Sequence, residues 1–175
     1  MANVKGVTLI GLVASLRKRR EEALRVLPEA HHDVLDLRIS RREWYPFDLF
    51  VAALRAAIAL SKRSPEDVLE KMGRSLAHIQ RSSYADLFEA TGPVLRTGVF
   101  WETFHDTGVF ELVSRSPGAS RFELRDYPDQ VWEMCALLGW NLAEVLELSG
   151  AKGVRVEHEQ CVTRGDASCV WCCRW

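Results

Sequence analysis

The apolar residues of this 175-residue chain change period after Gly108. Before that point they recur at helical spacing. Beyond it they alternate, as strands do, and that restricts the chain to folds keeping helices and strands in separate stretches. Residues 10–26 read as a first helix, with Leu12, Val13, Leu16, Ala23 and Leu24 on one stripe and Pro28 limiting it. Residues 31–42 form a polar connector holding two apolar turns. Trp44-Tyr45-Pro46 opens a second helix, apolar nearly all round from Leu49 to Leu60, which predicts deep burial. Ser64-Pro65-Glu66-Asp67 starts a third, with a capping hydroxyl, proline at the first helical position and acids in the first turn. It continues towards Phe88, and Gly92-Pro93 stops it. Residues 94–104 make a short amphipathic helix.

Beyond Gly108, residues 109–114 and 121–125 read as a hairpin around Pro117-Gly118. Residues 128–148 are the last helix, ended by Gly150. Residues 152–160 and 169–175 are strands joined by the turn at Arg164-Gly165-Asp166. The order predicts an α+β fold, an antiparallel sheet of about four strands packed against a helical layer. It is expected as a single domain over 1–175, mainly helical in 1–107 and hairpin-helix-hairpin in 108–175.

Net charge narrows the partners. At -1 the chain lacks the basic surplus of a nucleic-acid footprint, and no apolar run approaches the roughly 20 residues of a membrane span. The apolar stretch 7–16 precedes the basic cluster Arg17-Lys18-Arg19-Arg20, the reverse of a secretory signal, so a cytoplasmic protein is expected. Glu21-Glu22 follow that cluster and make it a salt-bridged helix face.

All five cysteines fall at or after residue 135, an odd count that fits a disulfide framework poorly. His158 and Cys161 stand at a His-x-x-Cys spacing, Cys169 follows eight residues on, and Cys135 lies on the preceding helix. Three thiols and one imidazole are the ligand set of a closed structural zinc site. Cysteine also behaves as a small buried hydrophobe, so spacing alone leaves ligand and core readings open. Adjacent Cys172 and Cys173 point to opposite faces of a strand, one to the core and one outward.

Phe100, Phe104, Trp132 and Trp140 could line an apolar pocket between the last helix and the sheet. Glu102, His105 and Asp106 share a short helix, read as a solvated face in preference to an acid/base pair. His78 and His105 are lone helical histidines, and no haem site is read from them. No phosphate loop or nucleophile elbow is present in the sequence, and a self-sufficient enzyme is not expected.

Nearly the whole chain resembles a family of uncharacterised myxobacterial proteins carrying a domain of unknown function. The resemblance rests on Trp44-Tyr45-Pro46, Met72-Gly73-Arg74, Trp101-Glu102, Asp106-Thr107-Gly108, Leu138-Gly139-Trp140, Ser149-Gly150-Ala151 and Val156 to Cys161 followed by Arg164 to Cys169. The tail is similar to the vinyl-4-reductase superfamily. That group includes a bacteriochlorophyll-synthesis accessory domain, phenol-sensor domains and, more distantly, TRAPP vesicle-tethering subunits and haem nitric-oxide sensors. The resemblance implies a vinyl-4-reductase/TRAPP-like fold, frequent homodimerisation and a zinc ion on Cys135, His158, Cys161 and Cys169, with His158 replacing an acidic ligand. It further implies a regulatory module for a small hydrophobic or aromatic ligand. The alternatives it leaves are a TRAPP-type homodimeric adaptor and an accessory or reductase domain acting on tetrapyrroles.

Overall fold

The computed structural model describes residues 2–89 and 97–175. The expected stop at Gly92-Pro93 lies outside them. Two helices, α1 (Gly6–Arg17) and α2 (Arg20–Val26), replace the single helix expected over 10–26. No glycine or proline marks the break. It falls where Arg19 turns its guanidinium onto the Leu60 carbonyl and Glu22. Arg17 reaches the carbonyl oxygens of Leu35 at 2.8 Å and Val34 at 3.3 Å, and Arg20 pairs with Asp36 at 2.8 Å. The basic cluster is therefore only partly a salt-bridged face; it also pins the 3-10 segment Glu29–Leu35 to α1.

Trp44-Tyr45-Pro46 does not open a helix. It forms β2 (Trp44–Pro46), antiparallel to β1 (Asn3–Lys5), a strand the sequence pattern does not reveal. At the end of β1, a Cβ on Gly6 would stand 1.9 Å from the Ser40 carbonyl oxygen, so only glycine admits this crossing. Helix α3 (Phe47–Ala59) follows Pro46 directly. Helix α4 (Pro65–Ser83) begins as its sequence dictates, the Asp67 N–H donating to Ser64 Oγ at 3.1 Å. The short α5 (Ala85–Glu89) and α6 (Thr97–Phe104) complete the helical half.

The other half is the expected antiparallel sheet. Strands β3 (Val109–Ser116), β4 (Ala119–Arg125), β5 (Arg155–Gln160) and β6 (Cys169–Arg174) lie in the order β3-β4-β6-β5. Buried Phe110, Phe122, Leu124 and Trp171 form its inner face. The other carries ion pairs, Arg121–Glu159 at 2.9 Å and Arg174–Glu157 at 3.0 Å. Helix α7 (Trp132–Leu148) begins later than expected, because Asp126 and Asp129 take positive φ of 54° and 57° and turn the chain before it.

Helix α7 joins the two halves by packing against α4 as well as the sheet. A Cβ on Gly73 would stand 2.6 Å from the Leu137 carbonyl oxygen and 2.7 Å from Trp140 Cβ. Buried Asn141 donates to the Gly73 carbonyl at 3.2 Å and to Gln80 Oε1 at 3.0 Å across the seam. Outside it, Arg74 bonds Glu70 at 3.1 Å and Glu144 at 2.8 Å and lies over the Trp140 ring. Gly73→Ala is expected to lower the unfolding free energy by about 1–3 kcal/mol, because backbone rather than a flexible side chain must yield. Urea denaturation checks this. An unchanged midpoint would mean the helices separate freely.

Candidate functional site

The structure brings the Cys/His cluster together. Cys135 sits in the first turn of α7, His158 in β5, Cys161 just beyond it and Cys169 at the start of β6. Cys135 Sγ lies 3.7 Å from both Cys169 Sγ and Cys161 Sγ. All four donor atoms fall within 4.8 Å of one another, a spread that a metal ion could bridge. Protein donors already serve the sulfurs. Gln130 Nε2 donates to Cys135 at 3.2 Å and Cys169 at 3.1 Å, and the Val162 N–H donates to Cys169 at 3.3 Å. The Cys135 thiol, with the His158 side chain, the Val162 N–H and Cys161, pulls the Cys169 thiol below its usual range against the cost of burial, while the same contact and burial push Cys135 up. His158 stacks on Trp171 with centroids 4.7 Å apart, and its buried Nε2 has no hydrogen-bond partner. Cys173 is buried and pushed up to about 12 by that burial; Cys172 is half-buried on the other face.

The four aromatics expected to line one pocket are not brought together. Phe100 and Phe104 border a void of about 20 Å³, room for roughly one water. Trp132 is 44% exposed at the start of α7, and Trp140 packs against Gly73 and under Arg74. The same void touches His105, which is not the solvated residue expected. Its ring stacks on Trp101 at 3.8 Å and its Nδ1 lies 3.2 Å from the Tyr127 hydroxyl. Burial lowers it to about 3, against the opposing pull of Asp106, so the imidazole is neutral.

A larger space escaped the sequence reading. A cleft of about 400 Å³ opens between α1, α3, α4 and α7, within the range of small-molecule sites. Buried Leu12, Leu16, Phe50 and Leu76 form its apolar wall, and Gly11, Ser15 and Ser75 leave it open. Gly11 with Ser15 and Lys71 with Ser75, each four residues apart, put short or flexible side chains on facing helices. That spacing is the one signal that could have disclosed it.

Two outcomes check this geometry. In native protein a thiol reagent should react promptly with Cys172 alone of the five cysteines, the other four reacting only on denaturation; prompt loss of three or more thiols would contradict the buried cluster. The second concerns His105. Its folded value is below its unfolded 6.5, so its stability is fully present above pH 6.5 and lost as pH falls towards 3. Going from neutral to about pH 5 should cost roughly 2 kcal/mol through this group alone, at about 1.4 kcal/mol per unit. In His105→Phe that slope should shrink by that amount; equal slopes in both proteins would show the ring is not held neutral.

No family model and no curated protein matches the chain. Solved structures do. An H-NOX protein from S. oneidensis in its Fe(II)NO state aligns with a TM-score of 0.69 at 13% identity, covering 97% of this chain and 98% of that one. An Fe(II) unliganded H-NOX protein from K. algicida aligns at 0.66 and 9%, covering 97% and 95%. An oxygen-binding H-NOX domain related to soluble guanylate cyclases aligns at 0.66 and 11%, covering 97% and 94%.

These likenesses correct the expected kinship. The vinyl-4-reductase/TRAPP assignment gives way, and with it the zinc-stabilised module and the TRAPP-type adaptor that it implied. The solved structures of this fold are described by their haem or by bound oxygen, and none by zinc. This chain's residues do not fit a haem. The protein ligands haem iron ordinarily takes are His, Cys, Met or Tyr. His105 has only the 20 Å³ void beside it, among Phe100, Phe104 and Met134. Among the described residues no His, Cys or Tyr borders the 400 Å³ cleft, and its one sulfur donor is the thioether of Met72. Among the described residues His105 borders the small void and not the cleft, although the two spaces share Thr8, Phe50, Leu76 and Leu137 as walls. What the comparisons establish is architecture: the chain has the H-NOX fold.

Proposed function

We propose that the chain is a single ligand-sensing domain that uses the H-NOX fold without haem and takes a small organic molecule in the cleft between α1, α3, α4 and α7. One observation carries this reading. In a fold whose solved examples are described as binding haem, oxygen or NO, this chain closes the space beside its buried imidazole and opens another of about 400 Å³. The cleft is walled by α7 through Leu137. Occupancy would therefore bear on the helix that also carries the sheet and Cys135. The cluster of Cys135, His158, Cys161 and Cys169 is read as the joint transmitting such a displacement to the β5–β6 hairpin.

Filling the cleft tests the reading. A Cβ on Gly11 meets only Ile79 Cδ1, at 3.4 Å, so a larger side chain there projects into open space. Gly11→Leu should stabilise α1 by about 1 kcal/mol through helix propensity. It should also abolish binding of the fluorescent probe anilinonaphthalene sulfonate to the native protein. Undiminished dye binding in a folded Gly11→Leu protein would sink the proposal.

A further inference from the structure

The cleft's chemistry narrows its guest, an inference that rests on the reading just given. Among the described residues three basic side chains, Arg19, Arg63 and Lys71, border the cleft, and no acidic one does. Arg19 is committed to Leu60 and Glu22. Among the described residues Arg63 and Lys71 have no side-chain hydrogen bond or ion pair, and both are exposed. They stand as free cations beside an apolar wall, where a bound anion is attracted without displacing an internal partner.

The floor supplies an independent observation. Thr8, only 7% exposed, borders both the cleft and the small void. Its Oγ1 is buried and has no hydrogen-bond partner. A buried hydroxyl left unpaired is costly, and a guest carrying a polar atom to that point would satisfy it. Buried Leu12, Leu16, Phe50 and Leu76 border the same cleft with apolar surface. Exposed cations, an apolar wall and an orphan buried hydroxyl thus border one cleft.

From this juxtaposition we infer that the cleft binds an amphipathic organic anion: a carboxylate-type head at Arg63 and Lys71, an apolar body, and a hydrogen-bonding atom at the inner end facing Thr8. A porphyrin dicarboxylate shares the anionic character, but nothing bordering the cleft offers its metal the imidazole that His105 keeps elsewhere.

The test uses medium-chain ω-hydroxy carboxylates, the matching plain carboxylates and the matching alcohols, with affinity read by calorimetry on the full chain. The ω-hydroxy acid should bind most tightly, and the alcohol at least roughly tenfold more weakly than the carboxylate. In Arg63→Gln/Lys71→Gln the carboxylate's advantage should vanish while alcohol binding persists. Thr8→Val should erase only the preference for the ω-hydroxyl. Alcohols binding as well as carboxylates, or carboxylate affinity unmoved in the double variant, would overturn the assignment of an anion while the cleft itself still took up dye. Dye binding that Gly11→Leu leaves intact would instead bring down the cleft as a site, and this inference with it.

Discussion

Helices α4 and α7 approach so closely at Gly73 that one added methyl group would meet the Leu137 carbonyl at 2.6 Å. Much else hangs from this contact. Helix α7 is the element shared by both halves. Its Leu137 walls the cleft, its Asn141 bridges to Gly73 and Gln80 and its Cys135 enters the thiol cluster. An interior packed at near-crystal density transmits a displacement rather than absorbing it. On the proposed reading, a guest that shifts α4 against α1 acts on the sheet through α7 and the cysteine cluster at its start.

The arrangement also explains where polarity is tolerated. Asn141 and Gln80 are buried but bonded to each other and to the backbone. Glu133 is buried but paired with Arg55 at 2.6 Å. His105 is buried and kept neutral, with Tyr127 on its Nδ1. Against these satisfied groups, Thr8 Oγ1 and His158 Nε2, like Thr107 Oγ1, Ser120 Oγ and Trp171 Nε1, are buried atoms without partners. Of these, Thr8 borders the cleft and His158 belongs to the cysteine cluster.

Local signals in the sequence were sound where local forces decide. Ser64 caps α4 because a hydroxyl three residues before an N–H needs no tertiary help. The change of period at Gly108 marks the sheet because burial of one face imposes alternation. The spacing of Cys135, His158, Cys161 and Cys169 foretold their convergence, although not the kinship drawn from it. What failed depends on distant partners. Three-residue strands such as Asn3–Lys5 are too short to show alternation, and β1 exists only because Trp44–Pro46 lies beside it. The break after Arg17 has no breaker residue and coincides with the bond from Arg19 to the distant Leu60 carbonyl. Trp132 and Trp140 looked like pocket residues by type, but their positions on α7 point one to solvent and the other to α4. The cleft arises from small residues on α1 and α4, which no single helix reveals.

Among the described residues the His105 imidazole borders only the small void and not the cleft, and haem titration tests that separation most directly. Hemin added to the reduced and oxidised protein should give only the broad absorbance of loosely associated porphyrin, removed by gel filtration and identical in His105→Ala. A stoichiometric complex with a sharp Soret band, surviving gel filtration and lost in His105→Ala, would show that the aromatic packing around His105 opens to admit the cofactor, and would contradict the account.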